Sequence, residues 1–319
     1  MKVGIVGAGA IGGWIGAKLA DTGSPVSVLA RGATLAAIRA NGLLLHEDGG
    51  SIAAPVAVSD NSTDLGPQDL LVIAVKAPAL RAAAEAIRPL IDARTVIVPM
   101  LNGVPWWFLG DKPALRPESL DPDGAIGAVL PGDQLIGCVV HASCASPEPG
   151  VVHRHFGKGL ILGEPSGAMT DRLERVATLF REAGLDITTS DRIQQDIWYK
   201  LWGNMTMNPI SALTRATADR ILDDDLVSAF ALQIMAEAAK IGAAIGCPIA
   251  ESGEDRMLVT RKLGAFKTSM LQDVEAGRPI ELDALLAAPR AIGQRVGIAT
   301  PYMDALLGLT RLFDSNRVL

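Results

Sequence analysis

The sequence is poor in the residues that build disulfide, metal and nucleic-acid sites. It has three cysteines, Cys138, Cys144 and Cys247, and they show neither Cys-x-x-Cys nor zinc-ligand spacing. That excludes a disulfide framework and reads as reduced thiols. Of four histidines, His153 and His155 alternate along a predicted strand with no third ligand nearby, so the expectation is a polar strand face and no metal site. His141 beside Cys138 and Cys144 has no orienting group to make a nucleophile. Lys and Arg total 29 against 35 Asp and Glu, a formal net charge of −6, which argues against a nucleic-acid partner. Apolar runs such as Leu70–Val75 and Val96–Leu101 have strand length, so no membrane span is expected. The first predicted strand begins at Lys2 and leaves no room for a signal peptide, so the expected location is the cytoplasm.

What the chain does have is apolar residues (49%), moderate charge (20%) and 33 glycines in 319 residues, a globular composition with length for two domains. Lys2–Val6 leads through Gly7-Ala8-Gly9-Ala10-Ile11-Gly12 into a helical pattern, and Pro25–Leu29 is a second apolar run. Strand, turn, helix and strand within about 30 residues make one βαβ unit. Strands at Leu70–Val75 and Val96–Met100 flank a helix over Ala79–Ile91, so a doubly wound, mostly parallel sheet is expected. Between Ile136 and Gly163, β-branched runs broken by Pro147, Pro149 and Gly157 predict antiparallel strands at the edge of that sheet. A helix over Asp171–Ala183 and a strand at Asp186–Thr188 close the domain.

From Ser190 the strand pattern stops. Helices are expected at Ile193–Leu213, Asp224–Ile245, Glu254–Ala276, Glu281–Val296 and Tyr302–Phe313, with Asp314–Leu319 as a loose tail. The expected fold is thus α/β, an N-terminal Rossmann domain (1–189) followed by an all-helical domain (190–319). Asp223-Asp224-Asp225 reads as a helix N-cap with an acidic first turn, and Glu251, Glu254 and Asp255 as capping and surface charge. The long apolar helices either bury one another or support a homodimer.

Gly7, Gly9 and Gly12 fill the three positions of GxGxxG. The first permits a tight turn, the second lets backbone approach a pyrophosphate, and the third lets helix pack on strand. The helix N-terminus then points N–H groups at the phosphates. A glycine pattern alone is weak, but here the required strand precedes it and the required helix follows. Sites that prefer NAD carry a carboxylate after the second strand to hold the ribose 2′-hydroxyl. Val28-Leu29-Ala30-Arg31-Gly32 has none. Arg31 is either a solvated surface residue or the partner of a 2′-phosphate, and the expected cofactor is NADP(H).

In the second half, Lys200, Asn204 and Asn208 recur every four residues and share one helix face, drifting about 40° per step. Leu201, Trp202, Met205 and Met207 beside them favour burial. The polar face is either solvated or paired with a neighbouring helix, or it binds a substrate through amides and a proton-donating lysine.

With these residues in place, the chain resembles the ketopantoate reductase (2-dehydropantoate 2-reductase) family over nearly its whole length. The resemblance rests on Gly7–Gly12, Arg31, Val75-Lys76, Leu101-Asn102-Gly103, the Lys200/Asn204/Asn208 face, Thr268-Ser269-Met270-Leu271-Gln272-Asp273 and Ile280-Glu281-Leu282-Asp283. It implies an enzyme that reduces ketopantoate to D-pantoate on the route to pantothenate, with hydride from NADPH and the proton from Lys200. It also implies that Glu281 helps position that lysine, that Asn204, Asn208 and Ser269 hold the substrate, and that Lys76 and Asn102 lie where cofactor and substrate meet. Gly7, Ala8, Gly9, Ala10, Ile11, Gly12 and Arg31 would bind the cofactor, and Lys200 would have to reach the nicotinamide across a cleft. Two departures bear on the substrate: Trp106-Trp107 follows Asn102-Gly103, and Leu286-Ala287 stands where the family often has Asn-Gly. The indoles either line the site or pack in the core. Two other readings stay open, a reductase of a different 2-keto acid and a non-catalytic NADP-binding or sensing protein.

Overall fold

The computed structural model describes residues 1–317. The chain forms two compact units, Met1–Leu101 with Asp123–Ile193, and Asn102–Pro122 with the chain from Gln194 onward.

In chain order the first unit contains β1 (Val3–Val6), α1 (Ala10–Asp21), β2 (Val26–Leu29), α2 (Gly32–Asn41), β3 (Leu43–Glu47), β4 (Gly50–Ala54) and β5 (Ala57–Ser59). It continues with β6 (Leu70–Ile73), α3 (Leu80–Ala86), β7 (Val96–Pro99), α4 (Ala125–Val129), β8 (Gly137–Ala145), β9 (Val151–Gly163), α5 (Asp171–Glu182) and β10 (Asp186–Thr189). β1, β6 and β7 are buried at every residue, which is why they read as unbroken apolar runs rather than alternating ones. They belong to a parallel sheet of order β5-β2-β1-β6-β7. The order reverses between β1 and β6, so the crevice beyond their carboxyl ends is where an open α/β sheet binds ligands.

The antiparallel pair expected at the edge of this sheet lies elsewhere. β8 and β9 pair antiparallel within a second sheet that also holds β10, β3 and β4. β9 is 13 residues long, enough to take β3 at its start and β10 at its end, both parallel. Helix α1 lies between the two sheets, touching β1 and β2 on one side and β3, β4, β8 and β9 on the other. Trp14, Ile15, Ala17 and Leu19 are accordingly fully buried. Glu47 at the end of β3 ties these layers together, accepting from Lys18 Nζ on α1 at 3.1 Å and from Arg154 Nε on β9 at 2.8 Å. The helix expected over Ala79–Ile91 is also shorter. Pro78 and Pro89 start 3₁₀ turns at Ala77–Ala79 and Arg88–Leu90, leaving α3 between them.

The second unit contains α6 (Ile193–Thr214), α7 (Ala218–Asp223), α8 (Asp225–Ile245), α9 (Gly253–Arg261), α10 (Ser269–Glu275), a π-helical turn at Asp283–Ala287, α11 (Ala288–Arg295) and α12 (Pro301–Arg317). Among the described residues it contains no strand. Asp224 caps α8 as its sequence suggests, accepting from Leu226 N at 3.1 Å and Val227 N at 3.0 Å. Buried Trp198 and Trp202, one turn apart on α6, donate their indole N–H groups to Ala238 O and Met235 O of α8 at 3.2 and 2.8 Å. These bonds fix the rotation of α6. Lys200 and Asn204, two residues further on, turn to the opposite side.

Two expectations need correction here. The helix expected over Glu254–Ala276 is two helices, because Gly264 takes φ +67° and Thr268 caps a new start by accepting from Leu271 N. The tail expected from Asp314 is helical to Arg317, which donates to Val274 O and Arg278 O; Val318 and Leu319 lie outside the described residues. α8 is long and apolar enough to cross a membrane by length and composition, unlike any run singled out above. It packs instead against α7, α9, α11 and α12. Its buried Glu237 accepts from Tyr302 N and Met303 N, both at 2.9 Å, and so caps α12.

Candidate active site

The turn after β1 has the shape a dinucleotide pyrophosphate needs. Gly7 holds φ +92°, and a Cβ there would stand 2.9 Å from Val75 N at the end of β6. A Cβ on Gly12 would come within 2.0 Å of Gly7 O, so helix and turn are in contact without room for a methyl group. Around Gly9 there is no heavy atom within 4 Å of the same construction, so the middle glycine faces open space. The first turn of α1 carries no side-chain cap. Its N–H groups and the bare Gly9 backbone therefore suit an anion close to the main chain. Ala8 is buried, and Ala10 and Ile11 are half-buried beside it. Lys76 is exposed just past the end of β6. Arg31 is exposed at the end of β2, in extended backbone, as the N-cap residue of α2.

In the second unit the polar face of α6 meets side chains from two other segments. Lys200 Nζ donates to Asn102 Oδ1 at 3.0 Å. One turn on, Asn204 is half-buried; one turn further, buried Asn208 donates to Ser269 Oγ at 3.5 Å. Ser269 is the first residue of α10, set there by the Thr268 cap. Glu281 is 7% exposed, immediately before the π-helical turn.

That turn also anchors the loop bearing Asn102. Within it the N–H of Ala288 bonds to Asp283 O, five residues back, rather than to Ala284 O. Ala284 O accepts instead from Val104 N at 2.9 Å. Gly103 rests on the same carbonyl at φ +83°, where a Cβ would come within 2.4 Å of it. Asn102 thus groups with the second unit, whereas the sequence reading puts it in the first domain among the cofactor ligands. Its bond to Lys200 and the Ala284 anchor are not legible in the sequence; the Asn-Gly pair at 102–103 is the only local sign of a special backbone.

Trp106 and Trp107 are buried, at 4% and 7% exposure, and the ring of Phe108 stacks on Trp198 at 6.1 Å. The pair is therefore core material in the second unit. Next to Lys200, Tyr199 donates to Glu251 and lies under the Arg256 guanidinium; burial, then that hydrogen bond, hold its phenol above the ordinary value. Burial also pushes the Cys144 thiol to about 12 and Cys247 to about 11, so neither is a thiolate at neutral pH. His153 lies against His46 at 4.8 Å between ring centres, and no cluster of three or more metal-ligating side chains occurs among the described residues.

Comparison with known proteins gives one pattern over the whole chain. Residues 3–167 match the family model for ketopantoate reductase PanE/ApbA, and residues 192–314 match the model for its C-terminal part. A 2-dehydropantoate 2-reductase of Mesorhizobium japonicum is 43% identical over 99% of both chains. A crystal structure from Ralstonia solanacearum MolK2, of a protein proposed to be a ketopantoate reductase, is 53% identical with a TM-score of 0.95, covering 100% of this chain and 99% of that one. The structure of a D-mandelate dehydrogenase with NADH and anilino(oxo)acetate has a TM-score of 0.87 over all of both chains, but at 22% identity it shares only the fold.

Proposed function

The chain belongs to the ketopantoate reductase family, and on that premise we propose that it reduces 2-dehydropantoate to D-pantoate, a step in making pantothenate. The observation that carries the reading is a lysine on a shared polar face with two asparagines, its ammonium held at 3.0 Å by a third. When bound, the reduced nicotinamide supplies a hydride to C2 of the keto acid. Lys200 gives a proton to the carbonyl oxygen as negative charge develops there, which yields the alcohol and leaves a neutral amine that water reprotonates. Asn102 aims the ammonium. Asn204, Asn208 and Ser269 hold the substrate's carboxylate and hydroxyl, and Glu281 helps to position Lys200. Several convergent polar groups are what a near-attack geometry requires.

In this reading the first unit holds the cofactor through Gly7–Gly12, with Lys76 beside the turn, and Arg31 makes NADPH the preferred form by pairing with the 2′-phosphate. The enzyme works in the cytoplasm on a small anionic substrate. The test is NADPH oxidation followed with ketopantoate beside a panel of other 2-keto acids, bulky and small. A kcat/KM for ketopantoate at least about 10-fold above every other acid is expected. Comparable rates on several acids would replace this substrate with a broader class, and tight NADPH binding without oxidation of any of them would remove the enzyme reading.

A further inference from the structure

Arg256, in the first turn of α9, lies beside the polar face of α6. Its guanidinium carbon stands 5.3 Å from the centre of the Tyr199 ring. The same group rests on Gly203, where a Cβ would come within 3.2 Å of Nη2, 3.4 Å of Nε and 3.5 Å of Cζ. Gly203 is the one glycine of α6. Only proline forms helix less readily than glycine, and here the missing side chain leaves the room that the guanidinium fills. Nε of Arg256 is buried without a hydrogen-bond partner among the described residues. Glu251, the carboxylate at the same tyrosine, accepts from the phenol instead. The arginine as a whole is half-buried. A cation held in place on two sides, with a donor unused, favours an anion at its terminal amino groups.

We propose that Arg256 binds the carboxylate of the 2-keto acid, an assignment that rests on the reductase function proposed above. The winding of α6 sets the order of the groups. Tyr199 and Gly203 stand about 100° and 60° to one side of Lys200, and Asn204 and Asn208 about 40° and 80° to the other. Lys200 is thus flanked by the guanidinium on one side and by amides on the other. Ketopantoate has its groups in a matching order: carboxylate at C1, carbonyl at C2 and, two carbons on, a hydroxyl at C4. With Lys200 at the carbonyl oxygen, Arg256 falls on the carboxylate side, and Asn208 with Ser269 on the hydroxyl side. The chemistry agrees with that division. Neutral amides and a serine hydroxyl suit an alcohol, whereas the planar fork of a guanidinium matches a carboxylate in both charge and shape. Because Tyr199 and Gly203 already hold the fork, little of its freedom is left to lose on binding.

The test compares the best 2-keto acid substrate with its neutral amide, which has nearly the same shape without the charge. Wild type with NADPH is expected to prefer the acid by at least about 100-fold in kcat/KM. In Arg256→Gln that preference should fall at least about 10-fold, through a higher KM for the acid at nearly constant kcat, while the amide is turned over as before. Arg256→Lys keeps the stem and the charge but not the fork, and should lose at least about 3-fold of the preference. It decides the matter if the glutamine variant does not fold. A merely structural arginine would lower acid and amide together; that result, or an unchanged preference, would overturn the proposal. If the best substrate is an acid other than ketopantoate, the substrate reading falls while the arginine is still tested on that acid. A wild type that reduces no 2-keto acid would sink both.

Discussion

The ammonium of Lys200 and the amide oxygen of Asn102 stand 3.0 Å apart although 98 positions separate them in the sequence. An amide oxygen can only accept and carries no charge, so the contact orients the lysine amine without neutralising it. Lys200→Ala is expected to lower kcat by about 100-fold or more while cofactor affinity is kept. Asn102→Ala should lower kcat by about 10-fold through misplacement of the same ammonium. Steady-state rates and cofactor fluorescence titration check both. A Lys200→Ala enzyme within a few-fold of wild type would remove the lysine as the acid.

The two glycines at the cofactor turn should respond differently to one added methyl group. At Gly12 the methyl group would overlap Gly7 O, so Gly12→Ala is expected to cost about 2–3 kcal/mol or more in unfolding free energy. At Gly9 it meets nothing in the protein. Gly9→Ala should therefore stay within about 1 kcal/mol of wild-type stability yet bind cofactor at least about 10-fold more weakly. Urea unfolding beside cofactor titration separates the effects; equal loss of affinity and stability at Gly9 would argue against the pyrophosphate site.

Arg31 bears on cofactor choice alone. Arg31→Ala is expected to lower kcat/KM with NADPH by about 10-fold or more and to leave NADH nearly unchanged, since one charge-assisted pair to the phosphate is lost. An unchanged ratio between the cofactors would withdraw the NADP preference.

Glu47 predicts a pH effect on stability rather than on catalysis. Burial alone would raise its pKa, but hydrogen bonds from Arg154 and Lys18 outweigh that and hold it below its ordinary 4.5. A carboxylate with a depressed folded pKa stabilises the fold fully above its unfolded pKa, and that contribution is lost as pH falls through the folded one. Glu47→Gln should lower stability at pH 7 by about 1 kcal/mol, and the gap from wild type should close as the medium is acidified below about pH 4. A gap that persists at pH 3 would mean that the loss comes from packing.

The parts of the fold written in local pattern were legible before any coordinates. β1, β6 and β7 are unbroken apolar runs, and α8 begins at an aspartate that caps it. What failed to show was pairing over distance. β4 and β5 are short and only partly buried, so little in their composition separates them from loop, and the Leu43-Leu44-Leu45 run of β3, though buried at Leu43 and Leu45, carries no β-branched residue to mark a strand. With those strands unseen, β8 and β9 had only one sheet to join. The site followed the same division. The i, i+4, i+8 spacing put Lys200, Asn204 and Asn208 on one face, and the family resemblance added Ser269 and Glu281. The pairing of Lys200 with Asn102 depends on a carbonyl at Ala284, which no spacing rule reports.

That carbonyl exists as an acceptor because the helix beneath it runs one residue wide. Pro289 has no N–H to return to Leu285 O, and the broader pitch at Asp283–Ala287 absorbs the defect. Deleting one residue there would restore ordinary pitch and reclaim Ala284 O for the helix. The loop that carries Asn102 would then come untethered. A misfit in helical winding would in this way set the aim of a proton.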